Sequence, residues 1–356
     1  MTAEIASING VATASIASVD GISAASMASV LGTAFNGGSN FPVSMADWSY
    51  RKSFPLSRAS GSVTDYQIKI TVHRSAGSDS DGDVYVGTNC EADYDDIRFT
   101  TSDGETLLDY WIEYADSDYA TIWVEFDSIG TDATTFYMYY GNAGASAASN
   151  GANTFIQFDD FEWGNDTDDI NTSGGSVTWT TNNGVADIDT AKYYSGSRSA
   201  RFPGRASTGV SYLFSCAGGD IAISIRFYKE NAVTNGPNIY HESGGKYIQI
   251  YVDSSENLQY YDGSSHDTGV NVSADTWQHL ELRNFDYTAG TFDIYLNDAL
   301  AKSGATMGSQ TVIPDQGQVA NFTTSSTAYE VWYDNFIVRK YLEPEPAFGA
   351  WGSEES

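Results

Sequence analysis

The sequence predicts an all-β protein, and three observations lead to that prediction. The 356 residues include 24 Tyr, 17 Phe and 8 Trp, whose side chains suit a half-buried, pleated surface. The 34 glycines supply turns between strands. Leu, Lys and Glu, which favour helices, are scarce relative to Thr, Ser and the aromatic residues.

The chain divides into four segments. Residues 1–46 carry a repeat, residues 47–150 form a first β domain, residues 151–342 form a longer β domain, and residues 343–356 form an acidic, Pro-containing tail. Strand-like stretches follow one another at short, regular spacing in the first domain, which is typical of a β-sandwich. We expect the tail to be loose beyond Trp351.

Charge and cysteine content exclude several classes of protein. Acidic residues number 47 against 17 basic residues, a formal net charge of −30. A nucleic-acid binder or a helix lying on an anionic membrane needs the opposite charge, and no run approaches the ~20 apolar residues of a spanning helix. The two cysteines, Cys90 and Cys216, are predicted to be separate buried thiols, with an interdomain disulfide as the alternative. The first ten residues contain Glu4 and no basic region, so we expect no signal peptide.

The N-terminal segment contains a repeat with a period of 11 residues. Its recurring positions are Ile5, Ile8 and Gly10, then Ile16, Val19 and Gly21, then Met27, Val30 and Gly32. A period of 11 is also found in right-handed coiled coils, but the Asn-Gly and Asp-Gly pairs inside the repeat favour tight turns between short strands. We interpret residues 1–46 as a β-ribbon that anchors the chain to another surface, with a flexible linker as the alternative.

The first domain resembles a widespread, uncharacterised β-domain of archaeal, bacterial and phage surface proteins. Four ordered blocks carry this resemblance: residues 48–51 (Trp-Ser-Tyr-Arg), 95–100 (Asp-Asp-Ile-Arg-Phe-Thr), 110–113 (Tyr-Trp-Ile-Glu) and 139–142 (Tyr-Tyr-Gly-Asn). That family is typically followed by a concanavalin A-like, laminin-G-type jelly roll. Residues 155–341 resemble such a domain, and the N-terminal repeat resembles segments of tailed-virus structural proteins.

Nothing in the sequence supports an enzyme. It contains no Gly-x-Ser-x-Gly elbow, P-loop, Gly-x-Gly-x-x-Gly or His-Glu-x-x-His motif. Glu125 and Asp127 lie two residues apart on a predicted strand but outside the jelly roll, where a solvated surface is the simpler interpretation. His279, beside Trp277 on a predicted strand, is interpreted as a core or edge histidine. We predict neither catalysis nor an organic cofactor.

Calcium is the metal that the composition favours. The chain has 32 aspartates against 15 glutamates, and hard cations prefer such oxygen ligands. In jelly-roll binding modules, a structural Ca²⁺ often bridges the ends of the first and last strands. We expect such a site at Asp159, Asp160, Glu162 and Asp334, with acids that cap turns without metal as the alternative.

Exposed aromatic rings beside acids would provide a glycan-binding surface. Tyr260, Tyr261 and Asp262 are the leading candidates, because adjacent strand residues point to opposite faces and one tyrosine must face outward. Core packing is the alternative for each ring.

Two functions remain. The first is a non-enzymatic virion surface protein, either capsid decoration or a fibre or tail adhesion component. It would be anchored to other virion proteins through residues 1–46, would display a lectin-like jelly roll towards a host surface glycan, and would assemble as a homo-oligomer, with a trimer favoured. The alternative is a secreted or cell-surface carbohydrate-binding module that is not part of a virion. Neither involves nucleic acid or membrane insertion.

Overall fold

A computed structural model gives the fold of the chain. It describes residues 41–172, 174–204, 209–230, 237–243, 246–308, 313–322 and 329–356, together with the backbone of four two-residue strands near the N-terminus. The all-β prediction is confirmed, because regular structure in this part of the chain is almost entirely strand. The chain forms two compact units: unit 1 contains Met1–Thr154 and Pro344–Ser356, and unit 2 contains Phe155–Glu343.

The N-terminal repeat contributes two short antiparallel pairs. Strands β1 (Ser7–Ile8) and β2 (Val11–Ala12) form one pair, and β3 (Ser18–Val19) and β4 (Ile22–Ser23) form the other. The turns between them, the third repeat with Met27, Val30 and Gly32, and the repeat's side chains lie outside the described residues. The anchor role of this segment stays a prediction.

Unit 1 is a sandwich of two four-stranded sheets. Its strands are β5 (Tyr50–Ser57), β6 (Val63–His73), β7 (Asp83–Tyr85), β8 (Arg98–Thr100), β9 (Tyr110–Ala115), β10 (Tyr119–Ile129), β11 (Thr134–Tyr140) and β27 (Ala347–Phe348). The sheet orders are β7-β6-β10-β9 and β27-β5-β11-β8. A 3₁₀ turn (Val43–Met45) precedes β5, and the single-turn helix α1 (Gly151–Thr154) follows β11.

Aromatic rings fill the space between these two sheets. Phe54, Phe99 and Phe136 come from one sheet, and Phe126 comes from the other. The centroid of the Phe126 ring lies 4.7 Å from that of Phe136 and 6.1 Å from that of Phe54, both in edge-to-face geometry. Such contacts add to the hydrophobic stabilisation of the burial itself.

The C-terminal segment belongs to unit 1, and the expectation of a separate, loose tail is wrong. Strand β27 pairs with β5 through Ala347↔Ser57 and Phe348↔Leu56. The backbone contact continues to the end of the chain, where Glu355 exchanges two hydrogen bonds with Arg51. The physical reason is that β5 would otherwise present an unpaired edge, which this segment covers.

Unit 2 is a larger sandwich. Its strands are β12 (Gln157–Asp159), β13 (Thr180–Asn183), β14 (Asp187–Asp189), β15 (Ser199–Phe202), β16 (Val210–Ser215), β17 (Ile221–Lys229), β18 (Asn238–Ser243), β19 (Lys246–Val252), β20 (Asn257–Tyr261), β21 (Ser265–Asn271), β22 (Trp277–Asp286), β23 (Thr291–Leu296), β24 (Ala299–Thr306), β25 (Gln316–Asn321) and β26 (Val331–Lys340). A 3₁₀ turn spans Ile170–Thr172.

Two sheets of unit 2 enclose one hydrophobic core. The eight-stranded sheet has the order β14-β15-β26-β17-β22-β23-β24 with β12 paired to β26, and the seven-stranded sheet has the order β13-β16-β25-β18-β19-β20-β21. Alternate residues of both sheets, such as Ile225 and Ile250, enter this core. The first and last strands of the unit, β12 and β26, are neighbours. The concanavalin A-like assignment stays a prediction.

Both thiols are buried and free, so the prediction of two separate cysteines is confirmed. Burial raises the pKa of each, Cys90 and Cys216, to about 12. In the described parts of the chain, no helix is long and apolar enough to cross a membrane.

Candidate functional site

Asp159, the first predicted calcium ligand, is held by nitrogen donors. Its Oδ1 accepts hydrogen bonds from the Phe161 amide (2.9 Å) and the Trp163 indole (2.9 Å), and its Oδ2 accepts one from the Trp179 indole (2.7 Å). The residue is 1% exposed, and burial raises the pKa of its carboxyl to about 6. Asp159 is therefore the shared acceptor of a buried hydrogen-bond network at the end of β12.

Asp334 and Glu162 hold a single loop between β14 and β15. Asp334 Oδ2 accepts hydrogen bonds from the amides of Tyr194 (2.8 Å) and Ser195 (3.3 Å), and burial raises the pKa of its carboxyl well above the usual range. Glu162 Oε1 accepts hydrogen bonds from the amides of Ser197 (2.6 Å) and Arg198 (2.8 Å). The two carboxylates thus stabilise the middle of the loop and the end that leads into β15.

The predicted calcium site does not fit this arrangement. Asp159, Glu162 and Asp334 direct their oxygens at N–H donors, and Asp160 accepts a hydrogen bond from the Glu162 amide (3.3 Å). No group of three His, Cys, Asp or Glu side chains suited to a metal ion occurs among the described residues. Calcium binding stays a prediction that the observed hydrogen bonds do not support.

The predicted glycan-binding residues lie on the β20–β21 hairpin. Tyr260 is only 7% exposed and stacks on His266 at 4.8 Å, whereas Tyr261 points to the opposite face. Of the two tyrosines, Tyr261 is therefore the one on the outer face, and glycan binding at Tyr260, Tyr261 and Asp262 stays a prediction. Asp262 is occupied within the hairpin, where it accepts hydrogen bonds from Ser264 and His266 and also from Thr306. The bond from Thr306, together with those from His266 and Ser264, lowers the pKa of the Asp262 carboxyl to about 2.

Tyr261 belongs to a row of side chains that crosses the seven-stranded sheet on the face opposite the core, where Gln318 is only 6% exposed. Gln318 on β25 is opposite Tyr240 on β18, Tyr240 is opposite Gln249 on β19, and Gln249 is opposite Tyr261 on β20. Directly opposed residues of neighbouring strands share a face at about 5 Å. A second row contains Tyr251 opposite Gln259. We call these six side chains the Tyr–Gln face: Tyr240, Gln249, Tyr251, Gln259, Tyr261 and Gln318.

Hydrogen bonds fix the orientation of this face. The Gln249 amide donates to Asn238 Oδ1 (3.1 Å), and the Gln259 amide donates to Asp253 Oδ2 (3.0 Å). The Tyr251 hydroxyl donates to Ser265 Oγ (2.6 Å). These bonds restrict the rotamers of long side chains, so less conformational entropy is lost when a ligand binds.

The Tyr–Gln face has the chemistry of a sugar-binding surface. Aromatic rings offer flat apolar area, and carboxamides offer both donors and acceptors for hydroxyl groups. Five of the six residues were not predicted from the sequence, because only strand pairing brings them together. The signal was the alternation within each strand: in β19, Ile248, Ile250 and Val252 enter the core, while Gln249 and Tyr251 lie between them.

Comparison with known families gives one partial match. Residues 93–182 match DUF2341, a domain of unknown function. The match covers 90 of the 356 residues and overlaps the second half of the region whose blocks resemble a surface-protein domain. It also extends past Thr154 into the first residues of unit 2.

One curated relative is a virus protein. Structural protein 27 of a virus (isolate Australia/Victoria) is 38% identical to this chain over 60 residues, which is 17% of the chain. The matched stretch spans 11% of that protein's length. The similarity is therefore local.

Solved structures resemble part of the chain at low similarity. The cellulose induced protein Cip1 matches 51% of the chain and 95% of its own length, at 21% identity and a TM-score of 0.39. Carbohydrate binding module CBM66 from Bacillus subtilis matches 46% of the chain and 95% of its own length, at 16% identity and a TM-score of 0.32.

Proposed function

We propose that the chain is a structural protein of a virus surface whose unit 2 binds carbohydrate through the Tyr–Gln face. The local similarity to a virus structural protein supports the first part of this proposal. The composition and orientation of the Tyr–Gln face support the second part. Adhesion of this kind requires no catalytic step.

One observation carries the binding proposal: Tyr240, Gln249 and Tyr261 are directly opposite one another on three adjacent strands. Two rings separated by a carboxamide offer stacking area on either side of a hydrogen-bonding group. The spacing between neighbouring strands is about 4.8 Å, so the row spans roughly the length of two sugar rings. We therefore propose an oligosaccharide or polysaccharide as the ligand.

Binding of the full chain to a glycan array and to isolated host envelopes tests this proposal. We expect retention of at least one polysaccharide class by the wild-type chain, and loss of that retention in the Tyr261→Ala variant. Tyr193→Ala is the matched control, since Tyr193 is 43% exposed and lies outside the Tyr–Gln face. Silence of the wild-type chain on both the array and the envelopes would contradict the proposal.

Residues 1–46 distinguish the virion role from that of a free carbohydrate-binding module. We propose that this segment anchors the chain to other virion proteins and that copies associate through it, with a trimer favoured. A chain lacking residues 1–46 should still bind glycan but should fail to enter particles. Unchanged incorporation would contradict the anchor role and leave the repeat as a spacer, whereas absence of the full chain from particles would favour the secreted or cell-surface module.

A further inference from the structure

Three side chains of unit 2 form a hydrogen-bonded relay on the outer face of the eight-stranded sheet. Ser224 Oγ lies 2.7 Å from His279 Nε2, and His279 Nδ1 lies 3.1 Å from Asp298 Oδ1. The serine is on β17, the histidine is on β22, and the aspartate is in the turn between β23 and β24. We propose that Ser224, His279 and Asp298 form a nucleophilic site that hydrolyses esters of short acyl groups.

Strand pairing places the serine beside the histidine. Ser224 is opposite Glu281, and Arg226 is opposite His279, so Ser224 and His279 are diagonal neighbours on one face. Ser224 and His279 are 6% and 7% exposed, so bulk water is largely kept away from the hydrogen bond between them.

Asn297 fixes the position of the turn that carries Asp298. The backbone N–H of Asn297 donates to the His279 carbonyl (2.8 Å), and the side-chain Oδ1 of Asn297 accepts from the backbone N–H of His279 (2.8 Å). These two bonds attach the turn to the backbone of His279. The next residue, Asp298, has φ +63° in this turn and directs its carboxylate at the imidazole. Two hydrogen bonds to the backbone of His279 and one to its Nδ1 therefore fix the position of the imidazole ring.

The two ring nitrogens of His279 have the roles that acyl transfer requires. With Nδ1–H donating to Asp298, Nε2 is free of a proton and accepts the Ser224 hydroxyl. As Oγ bonds to an ester carbonyl carbon, Nε2 takes the hydroxyl proton and then gives it to the departing alcohol. Water repeats the sequence at the acyl-serine, which releases the carboxylic acid and restores the Ser224 hydroxyl.

Arginine side chains lie on the same face of the sheet as Ser224. Arg226 is two residues along the same strand face from Ser224, and its guanidinium stacks on the Tyr194 ring at 4.4 Å. The Glu281 carboxylate opposite Ser224 is neutralised by Arg283 (2.9 Å) and Arg339 (3.5 Å). With Glu281 paired in this way, Arg226 is the group that the proposal assigns to a developing oxyanion.

The other three histidines, all of which the structure describes, have different partners. His73 pairs with Asp83, and His241 Nε2 faces the Cys216 carbonyl. His266 uses the same nitrogen, Nε2, for Asp262 (2.9 Å) and Ser264 (3.4 Å), so no proton path runs through its ring. The proposed site is also independent of glycan binding, because the Tyr–Gln face is on the other sheet.

Reaction of the full chain with a fluorophosphonate probe tests the proposal, with intact mass and peptide mapping as the readout and p-nitrophenyl acetate hydrolysis as a second measurement. We expect one label per chain at Ser224, no label in Ser224→Ala, and labelling at least about 100-fold slower in His279→Gln. Ser211→Ala and His73→Gln are the matched controls and should label at the wild-type rate.

Asp298→Asn keeps the test decisive if the buried variants fail to fold, because the Asp298 side chain is 67% exposed. We expect its labelling to be at least about tenfold slower than wild type, with an unchanged melting temperature. A wild-type chain that labels no faster than Ser224→Ala, a label that maps to another residue, or an unchanged rate in Asp298→Asn would each overturn the proposal.

Discussion

The Trp351 ring lies 4.6 Å, centroid to centroid, from the ring of Phe54, although 297 residues separate the two in sequence. Phe54 is a fully buried centre of the unit 1 core, so the last residues of the chain cover the first strand of the sandwich. The Trp351 indole also donates to the Asp81 carbonyl (2.8 Å). Unit 2 is consequently inserted, in sequence, between two strands of unit 1.

Removal of residues 344–356 should destabilise unit 1. The deletion exposes Phe54 and the edge of β5, and the single substitution Trp351→Ala should already cost about 2 kcal/mol, because the ring is partly exposed. Differential scanning calorimetry of the full chain measures this as a lower melting temperature for one transition. Tyr193→Ala, in unit 2, is the control. Equal melting temperatures for wild type and Trp351→Ala would contradict the structural role of the segment.

Asp159→Asn should destabilise unit 2. The carboxylate accepts three N–H bonds, and an asparagine amide would direct its own N–H₂ at one of these donors. We expect a loss of about 1–3 kcal/mol in the free energy of unfolding, measured by urea denaturation. Asp160→Asn is the neighbouring control and should cost less. A larger effect in the control would show that the three bonds are not the source of stability.

His241 should make unit 2 sensitive to acid. Burial lowers the pKa of its imidazole from 6.5 to about 4, so between these values the unfolded chain binds a proton that the folded chain excludes. This contribution is complete above pH 6.5, is lost as the pH falls towards 4, and amounts to about 3 kcal/mol.

Urea denaturation between pH 7 and pH 4 measures the contribution of His241 directly. The fall in unfolding free energy should be smaller in His241→Gln, which lacks the titrating ring, than in wild type. His73→Gln, in unit 1, is the control. The same pH dependence in wild type and His241→Gln would refute the assignment.

Chelation should leave the melting temperature of the chain unchanged. The carboxylates proposed from sequence as calcium ligands are held by N–H donors, so the fold does not need a cation to neutralise them. Scanning calorimetry in excess EDTA, compared with millimolar CaCl₂, measures this. A melting temperature several degrees lower in EDTA would contradict this expectation and support a calcium site at Asp159, Asp160, Glu162 and Asp334.

The sequence was sufficient for local features and insufficient for contacts between distant strands. The alternation that places Tyr260 inside and Tyr261 outside is a property of adjacent residues and could be predicted. The hydrogen-bond partners of Asp159 could not be predicted, because one of them, the Trp179 indole, lies 20 residues away in the sequence.

The register between paired strands is the main quantity that the sequence does not predict. The row of Gln318, Tyr240 and Gln249 depends on which strands pair and at which offset, and a shift of one residue would turn these side chains into the core. The same holds for Ser224 and His279, which are 55 residues apart and carry no sequence motif. The position of Trp351 likewise depends on an edge of β5 that only the assembled sandwich displays.

Isothermal titration of the full chain with the polysaccharide retained on the array is the most direct test of the central claim. Tyr240→Ala/Tyr261→Ala should bind at least about tenfold more weakly than wild type, equivalent to about 1.4 kcal/mol or more, while Tyr193→Ala should bind equally well. Equal affinity of the double variant and wild type would contradict the assignment of glycan binding to the Tyr–Gln face.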